Sequence, residues 1–187
     1  MQVLLWLSLS QVIESSAYAG LYLNLALLPA SDSLNHDQIS EKTTPLRARV
    51  GAGFYLMPYL FLGGGYIYAR DSRQATGSIA ETETTAAASA GVGIGASEGS
   101  GLWVMACALF YPTSTWSGSS SITYYGGSGT SVDLGYSFRS GSFTFGPQIS
   151  LVSMNFKKES TEAGSEDLED DRSRTGVQPY FVFGFIF

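Results

Sequence analysis

The chain has 187 residues, among them 22 Gly, 11 Tyr and 11 Phe, with only 14% charged and a mean hydropathy of +0.09. That is enough for one domain, and it favours strands over helices, since Gly is poor in helix interiors and aromatic residues sit well on a pleated surface. A net charge of -6 and a pI near 4.6 exclude a nucleic-acid partner, because no basic stripe is available to neutralise phosphates. A single cysteine, Cys107, excludes an intrachain disulfide and any Cys-rich metal centre, and reads as a small strand residue.

Residues 1–19 hold the apolar run Val3-Leu4-Leu5-Trp6-Leu7-Ser8-Leu9, then small-x-small patterns at Ser15-Ser16-Ala17 and Ala17-Tyr18-Ala19. They read as a secretory signal, with a short amphipathic helix at a barrel mouth as the alternative. No Lys or Arg precedes the run, and Glu14 follows it. Residues 20–187 form the second unit, and after the first segment no window of about 18 uninterrupted apolar residues occurs, so a membrane crossing would be made by strands.

Eight stretches near ten residues long alternate apolar with small or polar residues, the period and length of a tilted membrane strand. The first, 18–29, puts Leu21, Leu23, Leu25 and Leu27 on one face. The second, 46–57, opposes Leu46, Val50, Phe54 and Leu56 to Arg47, Arg49, Gly51, Gly53 and Tyr55. The third, 60–70, is Gly-rich and ambiguous in facing; the fourth, 84–96, sets Ala86, Ala88, Ala90, Val92 and Ile94 against Thr85, Ser89, Gly91, Gly93 and Gly95. The fifth, 102–111, is almost wholly apolar and leaves its facing open, whereas the sixth, 130–138, separates Val132, Leu134, Tyr136 and Phe138 from Ser131, Asp133, Gly135 and Ser137. The seventh begins with Phe143, Phe145, Ile149 and Leu151 opposite Thr144, Gly146, Gln148 and Ser150, then loses phase near Val152, which suggests a bulge. The eighth, 177–187, aligns Phe181, Phe183, Phe185 and Phe187.

Short connections (57–59, 97–101, 139–142) alternate with long ones (30–45, 71–83, 112–129, 157–176), as in an up-and-down barrel with both termini on the short-turn side. Nine of the ten Lys and Arg lie in or beside the long connections, and Asp133 alone sits at a strand centre, aimed inward beside Ser131 and Gly135. Tyr66, Tyr68, Tyr111, Trp116, Tyr124 and Tyr125 gather toward the long-loop rim, and Tyr59, Trp103, Phe138 and Phe143 toward the other, as two aromatic belts. A soluble ligand-carrying barrel would carry charged residues on its outer face; here one face is uncharged and the other is Gly, Ser, Thr, Gln and Asp, which suits lipid outside and a narrow packed lumen inside, with Arg47, Arg49, Asp133 and Gln148 as lumen polar residues.

The terminal Tyr180-Phe181-Val182-Phe183-Gly184-Phe185-Ile186-Phe187 resembles the C-terminal assembly signal of bacterial outer-membrane barrels, carried by Tyr180, Phe181, Phe183, Phe185 and Phe187. With Gly-Leu-Tyr-Leu-Asn-Leu at 20–25 and Leu-Gly-Gly-Gly-Tyr at 62–66, the chain resembles the small eight-stranded Gram-negative outer-membrane β-barrel family of OmpX, OmpW and the OmpA membrane domain. The resemblance implies insertion by the outer-membrane barrel assembly machinery, periplasmic termini and extracellular long loops.

Catalytic constellations are sparse. The single histidine, His36, lies between Asn35 and Asp37 in the first long connection; with Ser31 or Ser33 and Asp32 or Asp37 it offers the residue types of a lipid A acyltransferase or deacylase, but a solvated loop histidine is the expectation. Glu159, Glu162, Glu166, Asp167, Glu169, Asp170 and Asp171 match no calcium-loop spacing and read as a mobile, solvated acidic loop. Gly63-Gly64-Gly65 and the 91–95 run are not phosphate loops; they make room for bulky neighbours in a narrow barrel. The expectation is a monomer without enzymatic activity, metal or cofactor, in a structural or surface-interaction role, with a conduit for small or hydrophobic solutes as the other class. Outer-membrane lipid and lipopolysaccharide are the expected partners, with Arg70, Arg73, Lys157, Lys158, Arg172 and Arg174 as candidate lipopolysaccharide contacts.

Overall fold

The computed structural model describes residues 21–29, 32–36, 39–75, 80–95, 100–118 and 120–186, with side chains at 45–73, 80–95, 100–118 and 120–186. The expected signal at 1–19 and the terminal Phe187 lie outside the described residues. Ten strand segments follow in chain order: β1 Leu21–Pro29, β2 Asp32–His36, β3 Ile39–Met57, β4 Leu60–Ala75, β5 Glu81–Gly95, β6 Gly101–Ser117, β7 Ser121–Tyr125, β8 Ser128–Ser140, β9 Phe143–Thr161 and β10 Gly164–Ile186. They build eight staves. β2 continues the β1–β3 register, and β7 continues that of β8 against both β6 and β9, so each short segment is the outer end of an interrupted stave.

Each stave pairs antiparallel with its sequence neighbours, and β10 returns to β1, closing an all-β up-and-down barrel. The closing ladder is the shortest part of the wall. It runs from Tyr22 opposite Ile186 to Leu27 opposite Phe181, whereas β10 stays paired with β9 up to Gly164. Two residues further in the same register, Pro29 would face Pro179, and neither has an N–H to donate.

The long connections are the main correction to the sequence reading. They are hairpin extensions, with β3 and β9 running 19 residues each and β10 running 23. At about 3.3 Å per residue β10 is about 75 Å of extended chain, while a bilayer crossing takes about 9–11 residues. The acidic segment expected as a mobile loop forms the paired β9–β10 hairpin, turning between Thr161 and Gly164, with one register shift between Asp167 and Arg172.

No register shift occurs near Val152. Gln148, Ser150, Val152, Met154 and Phe156 all point inward; the phase is unbroken, but the inward side changes from polar to apolar. An extra residue occurs instead on β6, where the β5–β6 register shifts between Ala86 and Ala88. Tyr111 there has φ of 51° and is 84% exposed, and Pro112 is buried. The bulge re-aims the stave, so the strand that the sequence ends at Tyr111 continues to Ser117.

Facing is settled for the two ambiguous strands. Phe61, Ile67, Ala69 and Asp71 of β4 and Met105, Cys107 and Leu109 of β6 are buried within the barrel, while Tyr66, Leu102, Val104 and Phe110 are exposed. The other described staves face as their alternation predicts: Val50, Phe54, Val92, Ile94, Val132, Leu134, Ile149, Leu151, Phe181, Phe183 and Phe185 outward. Two glycines show why inward residues are small. A Cβ on Gly93 would lie 2.1 Å from Phe61 Cζ, and one on Gly135 would lie 2.5 Å from the Trp103 ring, so each ring occupies the space over a neighbouring glycine.

Candidate functional site

The barrel interior holds the chain's polar chemistry in two layers. In the first, Arg49 from β3 and Asp133 from β8 meet across the lumen: Arg49 Nη1 donates to Asp133 Oδ1 at 2.7 Å and lies 2.7 Å from Oδ2. Arg49 is 6% and Asp133 1% exposed, and Arg49 Nη2 reaches Cys107 Sγ at 3.5 Å. Nearby, Gln148 Nε2 donates to Ser150 Oγ at 2.8 Å, and the Tyr180 hydroxyl donates to Gln178 Oε1 at 2.6 Å. Period-two alternation puts these side chains inside, and a guanidinium there needs a carboxylate because isolated burial of either charge is costly.

The second layer lies nearer the hairpin rim. Asp71 of β4 bridges two arginines, with Arg47 Nη2 at 2.6 Å from Oδ1 and Arg174 Nη2 at 2.8 Å from Oδ2. Arg174 also contacts Glu83 and the Thr85 hydroxyl, and the Ser114 hydroxyl donates to Glu83 Oε1 at 2.8 Å. Arg47, Arg49, Asp133 and Gln148 are therefore inside, as their alternation predicts. Asp71, Glu83 and Arg174, from stretches with the composition of long loops, join them. Continuing the period past Arg70 and back from Gln178 would have placed Asp71 and Arg174 on the inward face.

Opposite these charges the lumen is apolar. Ile67, Ala87, Leu109, Val152, Met154 and Phe156 form one buried cluster with Tyr124, and Phe61, Met105 and Cys107 form another toward the short turns. The void between Arg174, Gln178 and the first cluster is about 10 Å³, the lower limit for one water.

Above the apolar cluster the extended staves enclose a mouth pocket of about 270 Å³, walled by Trp116, Ile122 and Tyr124 and bordered by Glu81 and Arg172. The Arg172 guanidinium carbon stands 4.1 Å from the Tyr124 ring centre and 5.8 Å from that of Trp116. The other candidate surface bases divide: Arg70, Arg73, Lys157 and Lys158 are exposed, with Lys158 Nζ at 3.2 Å from Asp167 Oδ1, while Arg174 is drawn into the lumen.

His36 pairs through its backbone register with Ile39, but its side chain and those of Asp32 and Ser33, together with residues Ser31 and Asp37, lie outside the described residues. Among the described residues no three His, Cys, Asp or Glu side chains converge to hold a metal ion. Tyr180 turns into the lumen, whereas Phe181, Phe183 and Phe185 face outward against Phe143 and Phe145 at ring separations of 5.4–6.4 Å, with Phe181 and Phe183 5.0 Å apart.

No protein-family model and no curated protein matches the chain. Among solved structures, it is similar to the outer membrane protein OprG from Pseudomonas aeruginosa, at 9% sequence identity and a TM-score of 0.47, over 91% of this chain and 97% of that one.

Proposed function

We propose that the chain is a monomeric outer-membrane β-barrel with a structural or surface-interaction role, its lumen plugged by its own side chains and its projecting hairpins outside the cell. Both termini and the short turns face the periplasm in this reading. The observation that carries it is the inversion of polarity across the wall. Between the rims, the outward positions of the described staves carry no charged residue, while the Arg49–Asp133 pair is buried inside. Lipid accepts such an exterior because the closed ladders satisfy the backbone internally. In planar bilayers the native chain is expected to give no single-channel steps, and stable conductance would overturn the plugged lumen. The mouth pocket favours a second reading, a conduit for small solutes, which requires both charge layers to part.

Lipopolysaccharide is the proposed partner of the exposed bases. Arg70, Arg73, Lys157 and Lys158 offer charged donors to its phosphates. Neutralising these four together is expected to lower the lipopolysaccharide retained on the purified barrel; unchanged retention would assign them to pairing with neighbouring acids such as Asp167.

The aromatic terminus is proposed as the signal read by the barrel assembly machinery. An extended strand adding to a partner gains specificity from alternating side chains, here Phe181, Phe183, Phe185 and Phe187. Phe187→Ser is expected to reduce the amount assembled in cells while purified protein still folds in detergent. Wild-type amounts in the outer-membrane fraction would remove this role.

A further inference from the structure

Arg172 differs from the three arginines below it. Arg47, Arg49 and Arg174 each have a carboxylate partner, whereas Arg172, among the described residues, makes no ion pair and no hydrogen bond. Its guanidinium is instead placed by the faces of Tyr124 and Trp116. Stacking of this kind orients a guanidinium while leaving its in-plane N–H donors free, and those donors match the two oxygens of a carboxylate. The indole N–H of Trp116, buried in the same wall, also has no acceptor.

The walls specify the rest of the ligand. Trp116, Ile122 and Tyr124 rest on the buried lumen cluster and present ring and aliphatic surface to the pocket. Its volume of about 270 Å³ falls just below the usual small-molecule range of about 300–1,000 Å³. A single ring fits such a space. Glu81 borders the same pocket, and its carboxylate repels a second negative charge.

We propose that the mouth of the barrel binds a small ring compound carrying one carboxylate, its acid on Arg172 and its ring against Trp116, Ile122 and Tyr124. The site goes beyond a surface-interaction role and rests on the mouth geometry alone, so it stands whether or not the lumen conducts.

The test is calorimetric titration of the folded, detergent-solubilised chain with phenylacetate and with phenylacetamide, which has the same ring but no charge. Phenylacetate is expected to bind at least about tenfold tighter, the discrimination of a hydrogen bond to a charged group. Arg172→Gln is expected to abolish the difference between the two probes, and Glu81→Gln to tighten phenylacetate about twofold to fivefold by removing a nearby like charge. Equal binding of the two probes by the native chain, or no binding of either, overturns the proposal. The native comparison needs no variant to fold. Persistence of the preference in folded Arg172→Gln would equally overturn it.

Discussion

Asp133→Ala is expected to destabilise the folded barrel by about 3–5 kcal/mol, the usual cost of leaving one partner of a buried ion pair uncompensated. Arg49 then keeps its place inside the closed barrel wall. Its remaining neighbour in the first layer is the Cys107 thiol at 3.5 Å, which cannot replace a carboxylate. The double variant Arg49→Met/Asp133→Leu should recover most of the loss, because it removes both charges and fills the volume with apolar atoms that suit Met105 and Phe61 below. Urea unfolding in lipid vesicles measures both. A loss under about 1 kcal/mol for Asp133→Ala would mean that water reaches Arg49, and with it that the lumen is not sealed at this level.

On the membrane orientation proposed above, Val92→Arg is expected to cost about 2–4 kcal/mol in the same assay, the penalty for a cation on the lipid face near the bilayer midplane. Val92 is 47% exposed, and its ladder partners Leu62 and Ala106 lie on the same outward face, so no neighbouring carboxylate softens the cost. Val92→Ala removes apolar contact without adding charge and should lose far less. Ser89, on the opposite face of the same strand, provides the control: Ser89→Thr exchanges one buried hydroxyl for another inside the barrel. If Val92→Arg and Val92→Ala fold with equal yield and stability, that face does not meet hydrocarbon.

The facing of β3, β5, β8 and β10 was legible because each places charge, Gly or hydroxyls on one side and branched or aromatic residues on the other. Asp133 was the clearest mark, a lone acid at a strand centre that had to point inward. The facing of β4 and β6 was hidden because both sides are apolar: Phe61 and Leu62 differ in environment but not in chemistry, as do Met105 and Val104. The same cause produced the false bulge at Val152, since a reading that equates the lumen with polarity loses count when the inward side becomes Val152, Met154 and Phe156. Hairpin extension was missed for a related reason. Beyond the apolar band the staves are mostly polar on both faces, as in β10 from Gly164 to Arg174, and such a stretch has the composition of a loop while its backbone pairs with β9 on both sides of the break between Asp167 and Arg172. The mouth pocket needed tertiary placement, because Glu81, Trp116, Tyr124 and Arg172 come from four different segments.

The short ladder between β1 and β10 sets where the molecule opens first. Amide protons exchange through local openings, and an opening costs less where fewer pairs break together. Among the described residues, the β1 and β10 edges above Leu27 and Phe181 are each held from one side only, and two prolines stand where the next rungs would form. Exchange with deuterium should therefore spread from Pro179 down the β10 side of this join before it reaches β5 or β6, whose amides are held on both flanks. A cylinder built from eight similar staves is mechanically uneven, with one line along which it unzips and an opposite wall that stays closed.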